Sequence, residues 1–132
     1  MTVTDLLALY GTLMSGLEPR PGAPELAGHI ERVGECLFRG ALYDAGFYPG
    51  LVDAPGTVRG ELWRCVAPTA LELLDGWEDY YPDALSESMY VRRRVKLIAP
   101  QCDAWVYYWN LSIGGLQPIA SGDWREHLST PR

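Results

Sequence analysis

The sequence predicts an α+β domain built on a small, closed or nearly closed β-sheet with a few short helices. Three observations lead there. Apolar and polar residues alternate over several short runs, which is the period of strands; helical character is confined to brief stretches; and Gly- and Pro-containing turns separate the runs. The 132 residues, 48% hydrophobic and 21% charged, are enough for one domain with a real core, so residues 1–132 are read as a single unit.

The elements follow in order. Leu6 to Tyr10 form a short apolar run that stops at Gly11, as a buried strand feeding a turn would. The stretch from Arg20 to Glu25 has the composition of a surface connection, and Glu25 to Glu31 can form a short helix. A strand is expected from about Val33 to Asp44, broken by the turn chemistry of Gly46-Phe47-Tyr48-Pro49-Gly50. The next strand runs from Thr57 to Val66, with Val58, Leu62 and Val66 on one face and Arg59 and Glu61 on the other. Pro68 suits the first position of a helix that continues to about Asp79, because the N–H it lacks would have no helical partner there. Tyr90 to Ile98 alternates again, with Val91, Val95 and Leu97 opposite Arg92, Arg94 and Lys96, and Ala104 to Asn110 forms a further strand after a turn at Pro100 to Asp103. A last helical turn is expected within Gly122 to Leu128.

Charge and cysteine usage narrow the function classes. A net charge of -6 and a pI near 4.8 leave no basic footprint for nucleic acid or an anionic membrane surface. No apolar stretch approaches the roughly 20 residues that span a bilayer. Cys36, Cys65 and Cys102 cannot all pair, and the start of the chain lacks the basic residues of a secretory signal, so a reducing, cytoplasmic setting is expected. His29 and His127 have no Cys, Asp or second His at ligand spacing, and no G-x-S-x-G is present; neither a metal nor a cofactor is expected.

Four features can carry chemistry. At 100° per residue Glu78 falls between Leu74 and Leu71, in the arc that also holds Trp77 and Leu73, so a carboxylate faces inward in the last turn, against the helix dipole. Such a violation marks a functional site, or else a surface glutamate on a helix that frays early or pairs with one of Arg92 to Arg94. Tyr10-Gly11-Thr12-Leu13-Met14-Ser15-Gly16 is a strand end entering a glycine-bracketed loop, which can aim backbone N–H groups at an anion or simply turn the chain. Tyr48, Pro49 and Gly50 can wall a pocket or fold onto the sheet. Tyr90, Arg92 and Arg94 share a face that is either functional or solvated. Tryptophans and tyrosines such as Trp105, Tyr107 and Trp109 read as structural.

Placed in order along the chain, six motifs resemble those of the gamma-glutamylcyclotransferase-like family, particularly its short bacterial members. Leu9-Tyr10-Gly11-Thr12-Leu13 is similar to the family's Y-G-T-L substrate loop, and Leu42-Tyr43-Asp44 through Tyr48-Pro49-Gly50-Leu51-Val52 to its L-Y-D and Y-P-G-L-V stretch. Val58-Arg59-Gly60-Glu61-Leu62, Leu74-Asp75-Gly76-Trp77-Glu78, Tyr90-Val91-Arg92 and Ser121-Gly122-Asp123-Trp124-Arg125 resemble the motifs that follow. Asp79 stands where a glycine is common.

The resemblance implies a small mixed, mostly antiparallel, barrel-like sheet with a few short helices, and an enzyme that releases 5-oxoproline from gamma-glutamyl amides. It carries the catalytic glutamate onto Glu78 and the substrate-carboxylate loop onto Tyr10, Gly11, Thr12 and Leu13; Tyr48, Pro49, Gly50, Tyr90 and Arg92 complete the expected substrate-binding set. The substrate would bring its own nucleophile, the alpha-amine, so neither a metal nor a protein nucleophile is implied. A carboxylate of raised pKa suits the acid/base role. A non-catalytic relative that binds a small molecule or partner in the same pocket is the alternative, as is a hydrolase in which Glu78 activates water. The expected partner is a small gamma-glutamyl amide, with the leaving amine and the oligomeric state open.

Overall fold

A computed structural model of the chain describes residues 5–17 and 22–129. The strands are β1 (Leu6–Leu9), β2 (Ile30–Asp44), β3 (Pro49–Cys65), β4 (Tyr90–Lys96), β5 (Asp103–Trp109) and β6 (Gln117–Ile119), and the helices are α1 (Ala70–Trp77) and α2 (Trp124–Ser129), with a single 3-10 turn at Leu85–Glu87. The strands make one sheet in the order β4-β5-β1-β3-β2-β6. Among the described residues only β1 and β5 run parallel, with Leu7 beside Trp105, and the other strand pairings are antiparallel.

The sheet curls into a half-barrel. Main-chain bonds tie the segment after β4 to β2 across its far side: Leu37 N–H donates to Ala99 O at 2.8 Å, and Ile98 N–H donates to Leu37 O at 2.8 Å. The curl is concentrated in the long β2–β3 hairpin. Its register slips between Arg39 and Ala41, where Gly40 has φ +155° and Gly56 has φ +145°. A Cβ on Gly56 would stand 2.6 Å from Gly40 O, so the two backbones cross where no side chain fits.

Alternation builds the core as the sequence suggests. Cys36, Phe38 and Leu42 of β2 and Val58 and Leu62 of β3 are buried, and Tyr10 packs on Phe38 with ring centroids 6.1 Å apart. Burial pushes the Cys36 thiol up to about 12, as for a small apolar core residue. Cys36, Cys65 and Cys102 are all free thiols.

Several expectations change. Glu25 to Glu31 is not a helix: Leu26 O accepts from His29 and Ile30 N–H in one turn, Gly28 has φ +80°, and β2 begins at Ile30. Pairing of Ile30 with Cys65 outcompetes a segment too short to nucleate a helix. Arg20 and Pro21 of the expected connection lie outside the described residues. Pro68 sits in a turn ahead of α1, which begins at Ala70 and ends at Trp77. Leu73, expected to face inward, is 37% exposed, and Val66, beyond the end of β3, is 48% exposed. Pro49 and Gly50 open β3 rather than belonging to the turn before it. Strand β6 carries no alternation because it is three residues long, and its Pro118 sits where an edge strand tolerates a missing N–H. Glu61, read only as lying on the face opposite Val58 and Leu62, is fully buried. The loop after β1, through Ser15, and α2, through Arg125, close over that face.

Candidate active site

A cavity of about 270 Å³ opens where the elements of the sheet converge. Strand β1 delivers Ala8 and Leu9 to its wall and then loops through Tyr10, Gly11, Thr12 and Leu13 along the rim. The β2–β3 hairpin supplies Tyr48 from its turn and Pro49 from the start of β3, α1 ends at the cavity with Trp77 and Glu78, and β4 and β5 contribute Tyr90 and Tyr107.

The rim is held by hydrogen bonds between distant strands. Tyr10 O–H donates to Tyr107 O at 2.5 Å, and Tyr90 O–H donates to Pro49 O at 2.6 Å. Tyr48, Tyr90 and Trp109 pack as an aromatic cluster with centroids 5.3 to 6.4 Å apart. Gly11 lies against Pro49, which would stand 3.1 Å from an added Cβ, so any larger residue would press on the proline ring where the loop meets the hairpin. The Asp44 carboxylate accepts from Gly46 N–H at 2.7 Å, and Ala45 N–H donates to Tyr48 O at 3.0 Å, which places the aromatic residue over the cavity.

Glu78 caps α1 rather than sitting within it. Asp79 takes φ +52°, Tyr80 N–H reaches back to Asp75 O at 2.9 Å, and Asp79 N–H donates to Gly76 O at 3.3 Å, which together form a Schellman end. This ending turns the chain at the cavity, with Glu78 among the lining residues. One helical turn earlier, Asp75 clamps α1 to the sheet: Arg92 donates from Nε at 2.9 Å and Nη2 at 3.1 Å, and Tyr107 O–H donates at 2.6 Å. Arg92 also stacks over Trp105 at 4.3 Å from the ring centroid.

The electrostatics follow from this packing. Burial raises the Tyr10 phenol well above its ordinary value, with neighbouring Tyr90 and Glu78 adding to the effect. Burial also raises Tyr107, reinforced by its bond to Asp75. Both phenols therefore stay protonated. Among the described lining residues are two carboxylates, Glu78 and Asp79, and no Lys, Arg or His. Among the described residues no group of three His, Cys, Asp or Glu side chains could hold a metal ion. No described helix is long and apolar enough to cross a membrane.

Of the residues singled out from sequence, Tyr10, Gly11, Thr12, Leu13, Tyr48, Pro49, Glu78 and Tyr90 meet at this one cavity. Gly50 and Arg92 do not line it. Gly50 lets Trp109 approach, its Cβ position being 2.8 Å from the indole Cγ, and Arg92 is committed to Asp75. Sequence reasoning missed Tyr107 and Asp75. A second carboxylate three residues before Glu78 was the visible signal for Asp75; Tyr107 looked like any core aromatic.

A family model described as gamma-glutamyl cyclotransferase, AIG2-like, matches residues 7–126. A relative from Escherichia coli K12, the gamma-glutamylcyclotransferase family protein YtfP, is 37% identical over 83 residues, which cover 63% of this chain and 66% of that protein's length. A Vibrio cholerae protein, provisionally named a gamma-glutamylcyclotransferase, is 31% identical over 125 residues, covering 93% of this chain and 97% of its own. Among solved structures, an AIG2-like protein from mouse aligns over 99% of this chain and 98% of its own with a TM-score of 0.67 at 21% identity. The solution structure of ytfP from Escherichia coli aligns over 96% of this chain and 100% of its own with a TM-score of 0.65 at 25% identity.

Proposed function

Since the chain belongs to the gamma-glutamyl cyclotransferase, AIG2-like family, we propose that it cleaves a gamma-glutamyl amide into 5-oxoproline and a free amine, with Glu78 as general acid and base. The observation that carries this reading is the meeting of Glu78 with the Tyr10 to Leu13 loop at one cavity.

The chemistry uses what stands there. With no cationic side chain among the described lining residues, a substrate alpha-carboxylate is best met by backbone N–H groups of the loop. Holding that end folds the gamma-glutamyl group so that its alpha-amine faces its own gamma-carbonyl, and such orientation is worth several kcal/mol. Glu78 accepts a proton from the alpha-amine as its nitrogen bonds to the carbon of the gamma-carbonyl, and returns it to the leaving nitrogen as the amide C–N bond at that same carbon breaks. No water is consumed, and the nucleophile belongs to the substrate. The phenols of Tyr10 and Tyr107, which stay protonated, share the cavity with the carboxylate without competing for its proton.

The test is a screen of gamma-glutamyl amides with detection of 5-oxoproline, followed by turnover and thermal unfolding of Glu78→Gln. The amide has nearly the volume of the acid but cannot take the proton. Turnover should fall by about 10²- to 10⁴-fold, the usual worth of general acid/base catalysis, with KM little changed and unfolding near that of the wild type. A variant that folds normally and still cyclises at the wild-type rate removes Glu78 from the mechanism. Glutamate as the product would mean hydrolysis instead, and binding of 5-oxoproline without turnover would mean a binding module.

A further inference from the structure

Behind the loop, away from the cavity, lies a second and fully buried carboxylate that the proposed reaction does not use. Glu61 lies in β3 directly across from Leu9, the last residue of β1 before the loop. A Cβ on its neighbour Gly60 would stand 2.6 Å from Leu9 O, so the two strands approach closely at this point. The chain then turns at Gly11, whose carbonyl accepts from Met14 N–H at 3.1 Å, buries Met14, and comes back over Glu61.

What it finds there is a dense set of donors on one carboxylate. Ser15 N–H donates to Oε1 at 2.6 Å, and Ser15 O–H donates to Oε2. Arg32 Nε and Arg125 Nη2 each donate to Oε2 at 2.9 Å, and Trp63 Nε1 donates to Oε1 at 3.3 Å. Arg125 also donates to Ser15 O. One group thus ties the far end of the loop to β2, to β3 and to α2. A fully buried carboxylate is stabilised by each donor it gains, and Ser15, which supplies two of them, is thereby drawn to this point.

We propose that Glu61 is a positioning residue for substrate binding: by fixing Ser15 it holds the Gly11 to Met14 backbone in the conformation that meets the substrate's carboxylate end. The inference rests on the proposed cyclotransferase reading for its substrate but not for its geometry. Glu61 touches no substrate, because it does not line the cavity. Loosening it therefore weakens binding and leaves the acid/base step at Glu78 in place.

The experiment compares the wild type with Glu61→Gln, with Ser15→Ala, and with Ile119→Val, which trims the core on the far edge of the sheet. Hydrogen exchange of the amides at residues 11–14 is read in every protein without substrate. Steady-state kinetics then use the best gamma-glutamyl amide, and calorimetry uses 5-oxoproline. Ser15 is exposed, so Ser15→Ala will fold even where Glu61→Gln does not. Loss of its hydroxyl bond should speed loop exchange, raise KM about fivefold, the worth of one hydrogen bond, and weaken 5-oxoproline binding in parallel. For Glu61→Gln the same effects should be larger, with kcat of both variants within about twofold of the wild type. Ile119→Val should lower the unfolding temperature and change neither loop exchange nor KM. Unchanged loop exchange in Ser15→Ala and Glu61→Gln would overturn the proposal, as would faster exchange with wild-type KM and wild-type 5-oxoproline affinity. If the wild type cyclises nothing, the proposed reaction fails on that result alone, while loop exchange still decides whether Glu61 holds the loop.

Discussion

Tyr10 shows how one side chain serves both the core and the site. Its ring packs on Phe38 inside the sheet, and its hydroxyl donates across to the Tyr107 carbonyl at the cavity wall. Tyr10→Phe keeps the packing and removes the donor. The expected loss is about 1 kcal/mol of stability, read as a lower denaturant midpoint at constant m-value, because a buried carbonyl loses its partner. An unchanged midpoint would mean that the Tyr107 carbonyl finds another donor. Asp75 works at the same scale but through others, since its carboxylate orients Arg92 and Tyr107 together. Asp75→Asn leaves Arg92 without a counter-charge and loosens the end of α1. Turnover should fall about ten- to a hundredfold through misplacement of Glu78, and KM should move much less. A raised KM with turnover unchanged would place Asp75 in substrate binding instead.

At the scale of elements, the ending of α1 matters more than its length. The helix has eight residues, no side-chain cap at its N-terminus and no basic residue in its last turn, so its propensity alone would not hold it. The Schellman end and the Asp75 clamp do. Asp79 occupies the left-handed position that glycine fills most easily, at φ +52°. Asp79→Gly should therefore raise stability by up to about 1 kcal/mol, visible in thermal unfolding, as the strain of a side chain there is removed. Part of that gain is offset by loss of the exposed bond from Tyr81 O–H to Asp79 at 3.1 Å. Destabilisation by Asp79→Gly would show that the carboxylate, rather than the backbone turn, holds this end of the helix.

For the whole molecule, the buried charge at Glu61 sets an acid limit. Burial by itself would raise this carboxyl, but the hydrogen bonds from Ser15, Arg125 and Arg32 outweigh it and hold the group down, from the ordinary 4.5 to about 2. A group depressed in the folded state contributes stability that is fully present above its unfolded value and lost as pH falls toward its folded value. Stability from this group should thus decline from about pH 4.5 and be gone near pH 2. Thermal unfolding of the wild type and Glu61→Gln across that window checks it. The wild-type curve should fall more steeply, and the two should converge at the acid end; parallel curves would mean that the Glu61 pairing contributes nothing to folding.

How much of this was legible in the sequence depends on the distance between partners. Strands β1, β2, β4 and β5, β3 from Thr57 onward, helix α1, the Gly11 turn and the placing of Glu78 at a helix end all follow from local alternation, turn chemistry and angular position. The ordered motifs from Leu9 to Arg125 identified the family for the same reason. The partnerships that arm the site join residues far apart. Asp75 and Arg92 are 17 positions apart, Asp75 and Tyr107 32, Ser15 and Glu61 46, and Ser15 and Arg125 110. Alternation did put Glu61 on the face opposite Leu62, but a period of two says nothing about what will cover that face. Arg92 likewise read as a charge on a strand facing solvent or substrate, until α1 packed against β4 and brought Asp75 to it. The sequence by itself determined the strands, the loop and the catalytic candidate, because these depend on neighbours in the chain. Only the tertiary structure decided which carboxylate faces the cavity and which is buried behind the loop, because burial and pairing depend on neighbours in space.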